Sequence, residues 1–307
     1  RQRQMCIRDS GNSRKVITVG YYGKEGNSGT GPTIHCIKKP DVITPGSHIV
    51  SCHHTNIEKV PYTKKSGTSM ATPHVAGGMA IVTQYVEDNF PGLSTRERQA
   101  MVDRILMSTA TPVIEAGGTY AAVMDQGAGE MNLAKAVTTK AYLTAEGTYS
   151  NRPKLELGDD PQKTGVYNLN FTVVNMTDAD KTYTVDASVQ TESAETGRIN
   201  ADGTRRYLMT QTPHMLNSEI AGNGAITVPA GGSTEVSVTI TLTEEDIAYI
   251  EKYFPNGIYV EGFVTLTAGE ENGVDLSAPF LAFYGDWLAL PAIEQSSYCL
   301  LYTSPSP

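Results

Sequence analysis

The sequence is poor in cysteine, tryptophan and positive charge. Its 307 residues hold 4 Cys, 1 Trp and 24 Lys and Arg against 33 Asp and Glu. So few cysteines exclude a small scaffold built on disulfides. A formal net charge of −9 argues against nucleic acid as a partner and keeps an exported protein soluble. No apolar run reaches the ~20 residues of a membrane-crossing helix. What remains is globular material, 39% apolar and 19% charged, enough to bury cores in roughly two domains.

The two ends read differently from the rest. Met5 to Asp9 (Met-Cys-Ile-Arg-Asp) is the translation of ATG-TGT-ATA-AGA-GAC. Cys299 to Ser304 (Cys-Leu-Leu-Tyr-Thr-Ser) translates TGT-CTC-TTA-TAC-ACA-TCT, the opposite strand of the same short word, which resembles a transposase sequencing adapter. Residues 1–10 and 298–307 are therefore read as adapter translation. The expectation is that the natural protein extends beyond both ends. Arg1, Arg3, Arg8 and Asp9 carry a net +2, so without them the charge of −9 becomes −11. Cys6 and Cys299 go with the ends, leaving Cys36 and Cys52 on either side of a Pro45-Gly46 turn signal. Three readings stay open for them: a disulfide across a hairpin, a metal site with His35, His53 and His54, or two small buried thiols.

The organisation changes once along the chain. Val16 to Gly20 reads as a buried parallel strand, and Val42-Ile43 and Ile49-Val50 as short strands flanking Thr44-Pro45-Gly46. From Ser69 to about Tyr85, Ala71, Val75, Ala76, Met79, Ala80, Ile81 and Val82 predict a helix buried nearly all round. Ser94-Thr95-Arg96-Glu97 is a capping box opening a second helix, with Met101, Val102, Ile105 and Leu106 at helical spacing. A short helix is expected near Asn132 to Val137. From about Ala141 the pattern alternates. Tyr167, Leu169, Phe171 and Val173 point one way, and Val166, Asn168, Asn170 and Thr172 the other. Thr182 to Val189, Ala225 to Leu242, Tyr259 to Leu266 and Ala278 to Tyr284 continue it, with Glu244 to Tyr253 as a helical interruption. Several short strands with turns between them predict a β-sandwich. The expected division is an α/β portion over 11–139 and an all-β portion over 140–297 that folds separately.

The chemistry concentrates in Gly67-Thr68-Ser69-Met70-Ala71-Thr72-Pro73-His74-Val75-Ala76-Gly77. A serine hydroxyl needs a base to remove its proton and donors for the oxyanion that forms on attack. A serine at the start of a helix gains one donor, its own N–H, and the favourable end of the helix dipole. Gly67 leaves room beside it, and Pro73 is placed in the first turns, where a missing N–H costs little. Ala71 distinguishes the stretch from a Gly-x-Ser-x-Gly elbow.

These residues resemble the active-serine signature of the subtilase family. Lys39-Pro40-Asp41-Val42-Ile43-Thr44-Pro45-Gly46 is similar to its Pro-Asp-x-x-Ala-Pro-Gly segment, with Thr44 for the usual Ala. Thr30 to Thr33 resembles its Ser-x-Gly-Pro loop, Val16 to Gly20 its Val-Ile-x-Val-Gly strand, and Gln126 to Gly129 with Asn132 to Val137 its closing turn and last helix. Asn256 to Val264 and Phe283 to Trp287 resemble the fibronectin type III-like domain of lactocepin-type cell-envelope proteinases. The resemblance implies a partial subtilisin-like parallel-sheet domain followed by a fibronectin type III-like sandwich. It implies a serine endopeptidase with Ser69 as nucleophile, supported by Gly67, Thr68 and Met70, and with the Asp and His of an Asp-His-Ser triad upstream of this stretch. The alternative is a catalytically inactive homologue acting as a surface-binding module. Implied partners are protein or peptide substrates, not nucleic acid, with cell-wall attachment through sequence beyond the C-terminal end. The implied location is secreted or on a bacterial cell surface. No metal or cofactor is implied for this stretch, and calcium is left to the longer protein.

Other polar residues have plainer readings. His74, five residues along the helix from Ser69, is read as structural. Asn27 follows the strand that the family's oxyanion Asn precedes, and Asn12 lies too close to it, so loop is preferred for both. Asn170 and Asn175 head glycosylation sequons by pattern but read as strand and turn residues. Asp178-Ala179-Asp180 reads as a turn, and Tyr253-Phe254 as core or contact aromatics.

Overall fold

A computed structural model describes residues 19–22, 37–53, 61–115, 117–199 and 205–289. Residues 1–10 and 298–307, with Asn12, Asn27, His35, Cys36 and His54, lie outside them.

The first part is α/β. Strand β1 (Val19–Tyr22) runs parallel to β2 (Val42–Pro45), with Val19 opposite Val42. On its other side β2 meets the 129–131 segment, where Ile43 N donates to Gly129 O and Met131 N to Ile43 O. Strands β3 (Ile49–Cys52) and β4 (Tyr62–Lys65) form a separate antiparallel pair. Thus β2 and β3 do not face each other across Pro45-Gly46, contrary to the hairpin expected between Cys36 and Cys52. The reason lies in their surfaces. Val42, Ile43 and Thr44 are buried and need sheet neighbours on both sides, whereas Val50, Ser51 and Cys52 are exposed.

Helix α1 (Thr68–Asn89) packs on this sheet, and α2 (Thr95–Ser108) packs on α1. Ala71, Val75, Gly78, Val82 and Val86 form the one buried stripe of α1. Ala76, Gly77, Ala80 and Ile81 are exposed, so the helix is covered on one side and not all round. The capping box of α2 is present, with Ser94 Oγ accepting from Glu97 N and Glu97 accepting from Ser94 N. Two short helices follow, α3 (Val123–Gln126) and α4 (Leu133–Thr138), the latter capped by Asn132 through Lys135 N at 3.0 Å.

The second part is all-β. One sheet contains β5 (Ala141–Thr144), β7 (Val166–Asn175), β10 (Glu219–Ala221) and β12 (Ser233–Thr241), in the order β10-β12-β7-β5. The other has β6 (Leu155–Asp160), β8 (Lys181–Ile199), β11 (Gly224–Val228), β13 (Ile258–Ala268) and β14 (Leu276–Tyr284), in the order β11-β8-β13-β14-β6. Strand β9 (Arg205–Met215) pairs with the far half of β8. Beyond Gln190 the two run on past the end of the β13 pairing as a two-stranded arm. Helix α5 (Glu244–Tyr253) links β12 to β13. The alternation read in 166–175 is realised: Tyr167, Leu169, Phe171 and Val173 enter the sandwich core.

The two parts share a buried seam. All nine residues of β14 are buried. Phe280, Ala282 and their alternates face the sandwich core. Phe263 and Leu281 are wholly buried yet stand outside that core. Phe263 packs against Tyr120 with ring centroids 5.0 Å apart. Across the same seam Leu143 N donates to Ser108 Oγ and Ser277 Oγ to Ala110 O.

Candidate active site

Ser69 is the second residue of α1, so its N–H lies among the first amides, which have no intrahelical acceptor. The hydroxyl is on an exposed position, and Thr68 and Met70 beside it are half-buried. The N-cap is Gly67, buried, with φ 139° and ψ 170°. That conformation belongs almost wholly to glycine. It lets the chain turn sharply into the helix without a side chain beside Ser69. No acidic side chain stands in the first turn to offset the positive end of the helix dipole.

Two contacts fix this turn to the sheet. Gly67 N donates to Gly46 O at 2.7 Å, tying the N-cap to the loop after β2. Thr44 Oγ1, fully buried, donates to Ala71 O at 2.9 Å. Within the helix Thr72 Oγ1 donates to Thr68 O and His74 Nδ1 to Met70 O, both at 2.9 Å. Pro73 is the sixth residue of α1, in its second turn, and the N–H it lacks would have bonded the Ser69 carbonyl. The carbonyls on either side of that gap each receive a side-chain donor. A carbonyl only accepts, so His74 Nδ1 carries the proton and Nε2 is left as the acceptor. His74 instead lines a cleft of about 510 Å³ with Thr44, Pro45, Glu130 and Met131.

Comparison with known proteins places these features. Residues 1–135 match the model of the subtilase family, and 155–281 that of an Fn3-like domain. A C5a peptidase of Streptococcus pyogenes is 30% identical over 261 residues, covering 85% of this chain and 20% of its own. A PII-type proteinase of Lacticaseibacillus paracasei is 28% identical over 270 residues, covering 84% of this chain and 13% of its own. The chain thus spans about a fifth or less of the curated relatives it matches. Among solved structures, a PapD-like domain of human CEP192 aligns at a TM-score of 0.27 and 9% identity, covering 47% of this chain and 83% of its own. That score carries no argument.

In the subtilase part, Gly67, Thr68, Ser69 and Met70 stand together at the helix start, and β2 holds them. Sequence reasoning missed Thr44: it stood out only as a departure from the family's Ala, and its polar side chain on a buried strand was the available signal. Cys52 is exposed and its thiol is free. Its exposure corrects the buried-thiol reading at that position; Cys36, the other member of the disulfide reading, lies outside the described residues. Among the described residues no group of three or more His, Cys, Asp or Glu is arranged to hold a metal ion. Asn175 spends its side-chain amide on Ala179 O, Val228 O and Pro229 O and is a turn residue. Asp180 accepts from Ala230 N, which also makes it structural.

A second polar feature was not foreseen. Asp41, fully buried at the start of β2, lies 2.8 Å from Lys39 Nζ, 3.4 Å from Lys154 Nζ and 4.0 Å from Arg152 Nη1. Arg152 donates from Nε and Nη2 to Asp103 Oδ2 at 3.0 and 2.7 Å, and Lys154 pairs with Glu156 at 2.8 Å. Burial pushes the Asp41 carboxyl up, but the surrounding Lys154, Lys39 and Lys38 outweigh it and hold it well below the usual range. Arg152 and Lys154 come from the sandwich part, Asp41 and Asp103 from the subtilase part.

Proposed function

We propose that this chain belongs to a serine endopeptidase of subtilisin type in which Ser69 attacks the peptide carbonyl and carries the acyl group. The observation that supports this most directly is the placement of Ser69 behind a buried glycine N-cap at the start of α1, within residues that match the subtilase family. The Ser69 N–H and the helix dipole are then aimed at the oxygen on which negative charge develops. The proton leaves Ser69 Oγ for a histidine base oriented by an aspartate. His74 is not that base in this reading: it stands five residues beyond Ser69 on the same helix and lines the cleft beside Thr44 and Glu130. The base and its aspartate come from outside the described residues, and the described residues alone leave Ser69 protonated and inert.

Substrates are proteins or peptides, in line with the names of the relatives. We place the enzyme outside the cell or on the cell envelope, with attachment and any bound calcium belonging to the longer protein. No described helix is long and apolar enough to cross a membrane. The test uses the longer protein that contains this chain and a fluorophosphonate probe. Labelling is expected in the wild type and lost in Ser69→Ala. Labelling that survives the substitution would remove Ser69 from its role.

A further inference from the structure

The seam holds a second cluster, and this one is acidic. Glu261 on β13 is 3% exposed, and its Oε1 accepts from Val123 N at the start of α3 at 3.0 Å. Its cross-strand neighbour is Gln190 on β8, whose Nε2 reaches the same Oε1 at 3.5 Å and Tyr120 O at 3.1 Å. Two residues further along the same face of β8 stands Glu192, 8% exposed. Asp125 on α3 and Glu115 before it add their charges from the subtilase side. Among the described residues no cation faces Glu192 or Glu261. Glu261 Oε2, Glu192 Oε2 and Gln190 Oε1 are buried acceptors with no donor among the described residues.

Acceptors alone cannot satisfy one another. Two carboxylates held in one buried site cannot both ionise cheaply, so a proton is the smallest group that converts an acceptor into a donor. The described carboxylates are not grouped to hold a metal ion. We propose that the docking of the sandwich on the subtilase part is a proton-held latch, in which Glu261 and Glu192 carry protons when the seam is closed. The closed seam is then tighter in mild acid than at neutral pH. Burial, then repulsion from Glu261, Asp125 and Glu115, pushes Glu192 up to about 8. Burial, opposed by the Val123 and Gln190 hydrogen bonds, brings Glu261 to about 7. Burial also raises Asp125, helped by Glu115.

The sign follows from these directions. Above about pH 4.5 the unfolded chain has released protons that the closed seam still holds. Stability therefore falls as the pH rises towards the raised values. Lys38 acts in the opposite sense: burial lowers it to about 7, so its contribution enters above that pH. His214, lowered by burial, also opposes the trend but is the same in every variant below.

The experiment compares melting temperatures of the full chain at about pH 5 and about pH 7 in chelator, for the wild type, Glu261→Gln, Glu192→Gln and a Glu270→Gln control. Glutamine keeps the shape and supplies a donor without a titrating proton. The wild type and the control are expected to lose about 4 °C more between the two pH values than either seam variant. Amide protection in 123–126, corrected for intrinsic exchange, should fall with pH in the wild type and hold in Glu261→Gln. Parallel pH dependence in all four proteins would overturn the proposal. So would wild-type pH dependence abolished by millimolar calcium, which would give the unpaired oxygens to a cation.

Discussion

Arg152→Met is the sharpest perturbation of the ion cluster that joins the two parts. Arg152 is 1% exposed and grips Asp103 Oδ2 with two N–H groups. Methionine fills much of the same volume but leaves Asp103, itself 1% exposed, with Gln99 Nε2 as its one side-chain donor among the described residues. It also removes one of the cations around Asp41. Breaking a buried pair by deleting one partner typically costs about 3–5 kcal/mol, because the remaining charge stays buried without compensation. Against a net stability of about 5–15 kcal/mol this is a large share. At about 2–4 °C per kcal/mol it lowers the melting temperature by about 6–20 °C.

The assay is a thermal or urea melt of the full chain, wild type against Arg152→Met and against Arg152→Met with Asp103→Leu. The double variant removes both charges and should recover a good part of the loss, since an apolar pair of similar volume carries no desolvation cost. A single variant that costs less than about 1 kcal/mol would mean that water reaches the cluster and screens it. A double variant no better than the single one would locate the loss in packing and refute the electrostatic account.

Two further outcomes follow from the geometry. Gly67→Ala forces a Cβ into a conformation of φ 139° and ψ 170°, so the chain should lose about 1–3 kcal/mol in a urea melt; an unchanged midpoint would contradict the glycine requirement. Residues 140–289 expressed alone should melt below the full chain, because Phe263 and Leu281 lose their cover and each gives up about 1.5–3 kcal/mol of burial; equal melting would show that the seam adds nothing to the stability of the sandwich.

Much of the local structure was legible because it is written in neighbouring residues. The α2 start is announced by Ser94 and Glu97, and β7 by the alternation from Val166 to Val173. The site was legible for the same reason, since Gly67, Thr68 and Ser69 are consecutive. What the sequence hides is long-range. Nothing in the residues beside them marks Asp41, Asp103, Arg152, Lys154 and Glu261 as buried. They are buried by partners that lie far along the chain, 138 positions apart in the case of Val123 and Glu261. The β8–β9 arm was missed as well. Its two strands pair mainly with each other beyond Gln190, so the run Thr191-Glu192-Ser193 carries no alternating apolar signal. The one-sided burial of α1 was invisible in a helix whose exposed positions include Ala76, Gly77, Ala80 and Ile81.

The seam and the turn that carries Ser69 are both tied to one strand. Asp41 sits at the head of β2 inside the ion cluster, and Thr44 at the other end of the strand donates to Ala71 O, two residues beyond Ser69. Asp41 to Thr44 is three residues of extended chain, about 10 Å at the usual rise. A paired strand of that length is stiff, since it is held on one side by β1 and on the other by Gly129 and Met131. The loop that follows ends in Gly46, whose carbonyl receives the N-cap amide of Gly67. Arg152 and Lys154 therefore act on the support of Ser69 through β2, while Glu261 acts on α3, just ahead of the Gly127-Ala128-Gly129 turn that borders the same strand. A purely apolar seam would tolerate sliding, because apolar contacts have no direction. Charged groups with bidentate and backbone partners fix one register. In this protein the sandwich is thereby built into the scaffold that holds the turn carrying Ser69.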